Sequence, residues 1–147
     1  TDCCIGVGGY PEKHFEAPNM DAEVRYTRMK VDAGADYVVT QMFFDNRHYF
    51  QYVDMCRAAG IDVPIIPGLK ILATAKQVTT LPRNFHCEIP SELADAVERD
   101  PKHALDIGVE WAQRQTRELI ERGAPSIHFY VMQSSKAVTR VIEGLGL

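Results

Sequence analysis

The amino-acid sequence predicts an α/β fold built around a parallel sheet. Short apolar runs recur along the 147 residues, and each is followed by a polar loop and an amphipathic helix. Runs that are apolar throughout are typical of strands buried on both faces, as strands in parallel sheets are. Polar and aromatic residues gather where each predicted strand ends, and ligands of parallel α/β proteins bind at that end of the strands.

Four strands and six helices follow from this alternation. The predicted strands span residues 3–7, 37–44, 63–66 and 126–132. The predicted helices span residues 21–33, 46–60, 74–80 and 102–122, and two more begin at Ser91 and after Ser135. The first helix carries its apolar face at helical spacing, on Met20, Val24, Thr27 and Val31. Gly34 follows as its expected C-terminal cap.

Composition and charge exclude several classes of protein. With a net charge of −4 and a pI of about 5.7, the chain has no basic surface for nucleic acid or anionic lipid. No apolar stretch reaches the roughly 20 residues that span a bilayer, and no signal-peptide pattern stands at the start. Cys3, Cys4, Cys56 and Cys87 form no metal-ligand spacing, so we expect reduced thiols, no metal site and a cytoplasmic protein.

Two architectures fit four parallel strands: an open doubly wound sheet, and part of a (β/α)8 barrel. The first predicted strand runs into residues 6–9 (GVGG), which lack the third glycine of a dinucleotide-binding turn and the helix that opens there. A Rossmann-type sheet is therefore disfavoured. Four strands do not close a barrel, and a complete barrel takes roughly 200 to 250 residues. The sequence, which begins almost directly in a strand, thus predicts part of a barrel.

Five motifs at or near the strand ends match a known family, in order and with few gaps. They are GYPEKH at 9–14, KVDAGA at 30–35, TQMFFD at 40–45, IIPG at 65–68 and HFY at 128–130. In these motifs the chain resembles methylenetetrahydrofolate reductase, over nearly its whole length. The resemblance implies a (β/α)8 TIM-type barrel. Residues 1–147 would be its C-terminal half, with only the last four strands and their helices present.

The resemblance also implies an activity. Members of the family hold FAD at the C-terminal face of the barrel and reduce 5,10-methylenetetrahydrofolate to 5-methyltetrahydrofolate with NAD(P)H. Their acidic residue that protonates the folate belongs to the first four strands, so no catalytic residue is assigned in this chain. We therefore expect the isolated chain to be inactive. We also expect Glu12 and Asp45 to fix loops rather than to act as acids.

Five residues match FAD contacts of the family. They are Tyr10, His14, Glu23, Tyr26 and Lys30. Without the resemblance, Tyr10 and His14 would be interpreted as a loop tyrosine and a surface histidine, and the other three as a solvated helix face at i, i+3 and i+7. Lys30 suits a diphosphate as a point charge. Glu23 replaces an Asp expected from the family, and Tyr26 departs from the small polar residue often found there.

Gln41 and Gln77 match substrate contacts of the family. Gln41 adjoins a bulky apolar run, where an amide is costly unless it is hydrogen-bonded, and its donor and acceptor suit the edge of a pterin. A satisfied core amide is the alternative interpretation. Ser134 stands where many members carry an Arg that approaches the folate, and Lys136 is a candidate substitute for that cation.

The partners of such a chain follow from its two open sheet edges. We expect it to pair with its missing half, to self-associate, or to have been excised from a longer enzyme, and the resemblance implies a homo-oligomer. Two other functions stay open. The chain is alternatively a non-catalytic half barrel that docks on another protein, or a different barrel enzyme in which Ser134 and Ser135 bind phosphate. No strand-end pair of Lys and Asp supports aldolase or isomerase chemistry.

Overall fold

A computed structural model describes residues 3–132 and 134–146 of the chain. The predicted domain, 1–147, also includes residues 1, 2, 133 and 147, which lie outside the described residues. The strands are β1 (Gly6–Gly9), β2 (Tyr37–Thr40), β3 (Ile65–Ile66), β4 (Gly68–Leu69) and β5 (His128–Phe129). The helices are α1 (Met20–Asp32), α2 (Asn46–Ala58), α3 (Gln77–Phe85), α4 (Ser91–Arg99), α5 (Ala104–Glu121) and α6 (Lys136–Leu145), with a 3-10 turn at Pro101–His103.

The observed strand pairs are all parallel, as the sequence predicts. Strands β1, β2 and β3 form one sheet in chain order, and β4 and β5 form a second. Only Pro67 separates β3 from β4, so this segment pairs first with β2 and then with β5. The predicted third strand, 63–66, is thus observed as β3 alone, and a further short strand, β4, follows Pro67 where the sequence predicts the strand's end. Proline donates no ladder hydrogen bond, which accounts for the break.

Thr40, at the end of β2, connects the two sheets. Its side chain is fully buried, and its Oγ1 accepts a hydrogen bond of 2.9 Å from the backbone N–H of Gly68. Its carbonyl accepts a hydrogen bond of 2.8 Å from the hydroxyl of Tyr130. Gly68 tolerates this approach because it has no side chain: a Cβ there would lie 2.2 Å from the carbonyl oxygen of Thr40.

The first two helices begin and end close to where the sequence predicts. Asn19 caps α1 through a 2.9 Å hydrogen bond from the N–H of Ala22, and Asp45 caps α2 in the same way through Arg47. Gly34 follows α1 with a left-handed φ of 109°, as the predicted cap requires. Helix α3 differs from the predicted helix, 74–80, because it continues through Pro82 to Phe85. Proline disfavours the helical conformation of the residue before it, yet Leu81 is helical here.

The core consists of three clusters of buried side chains. The largest packs α1, α2 and the end of α5 against the first sheet, around Val38, Tyr52, Ile65 and Leu119. A second lies under α3 and α4, and a third lies between α5 and α6. Phe43 and Phe44, which follow β2, enter the first and the second cluster respectively. The turn after β2 is therefore anchored on both sides by a buried aromatic ring.

Two strand edges are unpaired within the described part of the chain. If β3 and β4 are counted as one segment across Pro67, β1 lies at one end of the strand array and β5 at the other, and each presents one free edge. Near the β5 edge the side chain of Val131 is 47% exposed and that of Met132 is 87% exposed, which is high for apolar residues. No helix among the described residues is long and apolar enough to cross a membrane.

We expect Thr40→Val to destabilise the chain by about 1 to 3 kcal/mol, because it leaves the buried N–H of Gly68 without an acceptor. Thr40→Ser keeps the oxygen and serves as the matched control. Urea unfolding of the three proteins measures the difference. Equal losses of stability in the Val and Ser variants would show that the hydrogen bond to Gly68 contributes little.

Candidate functional site

The five predicted cofactor residues meet at one cavity of about 400 Å³. Tyr10 and His14 come from the loop after β1, and Glu23, Tyr26 and Lys30 come from α1. The cavity lies beyond the carboxyl end of β1, where parallel α/β proteins bind ligands. The structure therefore brings together residues up to 20 positions apart that the family resemblance assigns to one ligand.

The loop after β1 is held rigidly by its own backbone and by Lys13. The N–H of Lys13 donates to the carbonyl of Tyr10 at 2.9 Å, and the Lys13 ammonium donates to the carbonyl of Ala17 at 2.9 Å. The rings of Tyr10 and His14 meet edge to face, with centroids 4.6 Å apart. Together they give the cavity an ordered aromatic wall.

Glu23 is buried rather than solvated, contrary to the helix-face interpretation. Its residue exposure is 1%, and one carboxylate oxygen, Oε2, accepts a 3.2 Å hydrogen bond from the N–H of His14. The other oxygen, Oε1, is buried and has no hydrogen-bond partner among the described residues. A buried carboxylate oxygen is costly without a donor, so a ligand hydroxyl or N–H fits this position.

Lys30 brings a positive charge to the same cavity. Its ammonium donates to the carbonyl of Gly8 at 2.7 Å and lies 5.6 Å from the centre of the Tyr10 ring. No carboxylate lies within 4.0 Å of it in the described ranges, so its charge is available to an anion. Tyr26 lies at the rim, 46% exposed, where its ring covers one side of the opening.

A second cavity, of about 140 Å³, adjoins the first and shares Tyr10 and His14 with it. Gln41 lines this cavity from the end of β2. Its Oε1 accepts a 2.9 Å hydrogen bond from the N–H of Met42, whereas its Nε2 has no acceptor among the described residues. Gln41 is thus only partly a satisfied amide, and it offers two N–H donors to a ligand.

Gln77 lines neither of these cavities. It stands at the start of α3, where its Oε1 accepts hydrogen bonds from the N–H groups of Ala73 (2.6 Å) and Thr74 (3.2 Å). Its carbonyl oxygen therefore orders the loop between β4 and α3. Gln77 thus lies outside the cavity that Gln41 lines, and its Nε2 donors have no acceptor in the described segments.

Ser134 lies in a third cavity of about 210 Å³ together with Lys70 and Tyr130. The Lys70 ammonium donates to the carbonyl of Tyr130 at 3.1 Å, and burial lowers the pKa of Lys70. Lys136, the expected substitute for the absent Arg, is exposed and does not line this cavity. Sequence reasoning missed Lys70, although a lysine that directly follows an apolar strand was a visible signal.

Glu12 and Asp45 both hold loops, as expected. Oε2 of Glu12 accepts a 2.6 Å hydrogen bond from the N–H of Glu88, 76 positions away, and burial raises the pKa of the Glu12 carboxyl. Asp45 caps α2, and its hydrogen bonds from the Arg47 side chain lower the pKa of the Asp45 carboxyl. The thiols of Cys56 and Cys87 are buried, and those of Cys3 and Cys4 are exposed.

Comparison with known proteins gives a consistent family. The family model for methylenetetrahydrofolate reductase matches residues 1–146. Methylenetetrahydrofolate reductase 1 of Schizosaccharomyces pombe is 38% identical over 98% of this chain, which covers 24% of that protein. The 5,10-methylenetetrahydrofolate reductase of Escherichia coli is 33% identical over 100% of this chain, which covers 51% of that protein. The chain thus spans about half the length of this bacterial relative.

A solved structure shows the same fold at lower sequence identity. It is an uncharacterized protein from Clostridium thermocellum that binds two copies of 5-methyl-5,6,7,8-tetrahydrofolic acid. Its TM-score with this chain is 0.63 at 17% identity, over 97% of this chain and 52% of that one.

Replacing Glu12 by Gln is expected to change how stability depends on pH. The folded-state pKa of Glu12 is raised above its ordinary value of 4.5, so ionising the buried carboxyl costs folding energy. This cost is absent below the ordinary pKa and is fully present above the raised one. The stability of Glu12→Gln relative to the unmodified chain should therefore increase as pH rises from about 4 to about 7.

Denaturant unfolding across this pH range measures the effect. Glu98→Gln, at an exposed position of α4, is the matched control and should show no such trend. A difference between Glu12→Gln and the unmodified chain that stays constant with pH would contradict the prediction.

Proposed function

Because the chain belongs to the methylenetetrahydrofolate reductase family, we propose that it is the C-terminal half of a (β/α)8 barrel that binds FAD. The complete barrel reduces 5,10-methylenetetrahydrofolate to 5-methyltetrahydrofolate with NAD(P)H as the donor. One observation carries the cofactor proposal: Glu23, which lines a 400 Å³ cavity, has a buried carboxylate oxygen with no hydrogen-bond partner among the described residues.

The strand order supports a barrel rather than a doubly wound sheet. All pairs are parallel, and the strands follow one another in chain order from β1 to β3 and from β4 to β5. A doubly wound sheet reverses its order at a switch point, which the described strands do not do. In a complete barrel, the strands of the preceding half pair with the free edges of β1 and β5. The bacterial relative is about twice as long as this chain, which is enough for both halves.

The residues of the first cavity fit the adenosine diphosphate portion of FAD. Oε1 of Glu23 accepts a hydrogen bond from a ribose hydroxyl, which satisfies the buried oxygen. The ammonium of Lys30 faces the diphosphate, and the rings of Tyr10, His14 and Tyr26 enclose flat apolar surface. When bound, FAD supplies the hydride-transfer chemistry, and these residues bind and orient it.

The second cavity fits the folate. The second cavity shares Tyr10 and His14 with the cofactor cavity, so a ligand in the second cavity lies next to the bound FAD. The free Nε2 donors of Gln41 bond to acceptors on the pterin edge, and Gln77, which lies outside this cavity, contacts a part of the substrate that extends beyond it. Many family members have an Arg at the position of Ser134, and this Arg approaches the folate. In this chain Lys70 supplies the cation for the folate carboxylates instead, because Lys70 and Ser134 line the same cavity.

The chain supplies binding rather than the proton-transfer group. The acid that protonates the folate lies in the preceding half, so the 147 residues alone are inactive. We further propose that the complete protein is cytoplasmic and forms a homo-oligomer. Within each barrel, the preceding half covers the exposed side chains of Val131 and Met132 beside β5.

The unpaired edges of β1 and β5 also favour a second candidate function, a non-catalytic half barrel that docks on another protein. Gel filtration and thermal unfolding distinguish the two. A folded monomer whose β5 edge stays free in the presence of the preceding half would favour the accessory function. Formation of a one-to-one complex between the two halves would favour the barrel.

Titration of FAD into the purified chain is expected to give saturable quenching of flavin fluorescence. Lys30→Ala should weaken binding roughly tenfold, because a charge-assisted contact with the diphosphate is lost. Tyr10→Ala should weaken it as well. Lys102→Ala, at an exposed lysine of the 3-10 turn, is the matched control and should bind normally. Absence of binding by the folded chain would contradict a cofactor site formed by these residues.

Glu23→Gln separates stability from binding. Because the Gln side-chain nitrogen donates and cannot accept a hydrogen bond from the ribose hydroxyl, FAD binding should weaken while the cofactor-free chain stays folded. Thermal unfolding and the flavin titration give the two readings. Glu110→Gln, at an exposed position of α5, should change neither. A variant that loses stability and keeps its affinity for FAD would refute the assignment.

A further inference from the structure

Four aromatic rings form a continuous ladder at the second cavity. Tyr10 and His14 meet at 4.6 Å, His14 and Phe15 at 4.6 Å, and Phe15 stacks on His86 at 4.9 Å with an interplanar angle of 25°. Phe15 is 58% exposed and His86 is also exposed, so this end of the ladder faces solvent. Neither ring belongs to a core cluster of the described residues.

The backbone is strained at two points around this ladder. Lys13 and His86 have φ values of 72° and 55°, and they are the two non-glycine residues in the described ranges with a left-handed backbone. Both line the second cavity, although they lie 73 positions apart in the chain. Such positions cost of order 1 kcal/mol each, and at His86 the left-handed backbone ends α3, where its N–H donates to the carbonyl of Pro82.

The cavity combines flat rings with unused polar groups. Gln41, half-buried at its inner end, offers the Nε2 donors described above, and the amide of Asn84 lies on its wall. Phe85, 43% exposed, is next to His86 and adds apolar surface at the mouth. A ligand that suits this arrangement has an edge rich in acceptors inside and an aryl ring at the mouth.

We propose that Phe15 and His86 form a stacking subsite for the benzoyl ring of the folate. The benzoyl ring would be the fifth ring of the ladder. The inference rests on the proposed function, in which Gln41 holds the pterin. In a reduced folate the ring bearing the one-carbon unit is puckered, whereas the benzoyl group beyond it is a flat π system. Since a short bridge links the two, the benzoyl ring must lie just outside the pterin, where Phe15 and His86 are. Phe15 and His86 thereby determine specificity for aryl-substituted pterins.

Two fragments of the substrate test the subsite in the full chain by NMR. p-Aminobenzoyl-glutamate, which lacks the pterin, should shift the ring signals of Phe15 and His86 saturably. Phe15→Leu, which keeps apolar volume, and His86→Asn, which tolerates the left-handed backbone, should each weaken its binding roughly three- to tenfold. His103→Asn, at an exposed histidine elsewhere, is the matched control and should bind normally. Phe15→Tyr keeps the ring and should retain binding.

The second fragment, 6-methyltetrahydropterin, lacks the benzoyl ring and should shift the side-chain amide of Gln41 equally in all variants. If p-aminobenzoyl-glutamate leaves Phe15 and His86 unshifted while the pterin shifts Gln41, the subsite is wrong and the proposed function stands. If neither fragment binds to a folded chain, both are wrong. Shifts of Phe15 and His86 by AMP instead of the benzoyl fragment would overturn the proposal in favour of a dinucleotide.

Discussion

The hydrogen bonds at the end of β2 are the constraint on which the ligand face depends. Thr40 accepts from the N–H of Gly68 and from the hydroxyl of Tyr130, and the next residue, Gln41, donates its N–H to the carbonyl of Gly9. These bonds join β1, β2, β4 and the end of β5 within two residues. Because Thr40 is fully buried, water cannot reach its oxygen atoms. Loss of either hydrogen bond would therefore leave a buried polar group without a partner, which is destabilising. The direction of the Gln41 side chain and the place of Tyr130 follow from this junction.

Two glutamates, the half-buried Glu12 and the buried Glu23, show how the same hydrogen-bond arrangement can have different roles. In Glu12 and in Glu23, one carboxylate oxygen accepts from a backbone N–H and the other has no partner among the described residues. The hydrogen bond of Glu12 joins two loops that are distant in the sequence, so its partial burial stabilises the fold. The bond of Glu23 joins neighbouring segments, and its unpaired oxygen belongs to a residue that lines the larger cavity. The second arrangement is harder to explain by stability alone, and it favours a ligand.

Local signals predicted the helices, whereas long-range contacts decided the site. The spacing of Val24 and Thr27 and the cap at Gly34 located α1 within one residue at each end. The same spacing suggested a solvated face for Glu23, because a helical period does not reveal that the loop after β1 covers it. The convergence of the cofactor residues needed the family resemblance. Lys70 and the contact of Phe15 with His86 had no periodic signal, since their partners lie 60 and 71 positions away.

The two cavities are coupled by the segments that separate them. The loop after β1 touches the α3–α4 connection twice, through Glu12 with the N–H of Glu88 and through Phe15 with His86. Tyr10 and His14, in the same loop, are the wall that both cavities share. Because one wall bounds both cavities, a ligand that shifts these rings on one side also changes the surface that a ligand on the other side contacts. In the proposed function, a chain that lacks an assigned catalytic residue in this way still determines how the cofactor and the substrate are held against each other.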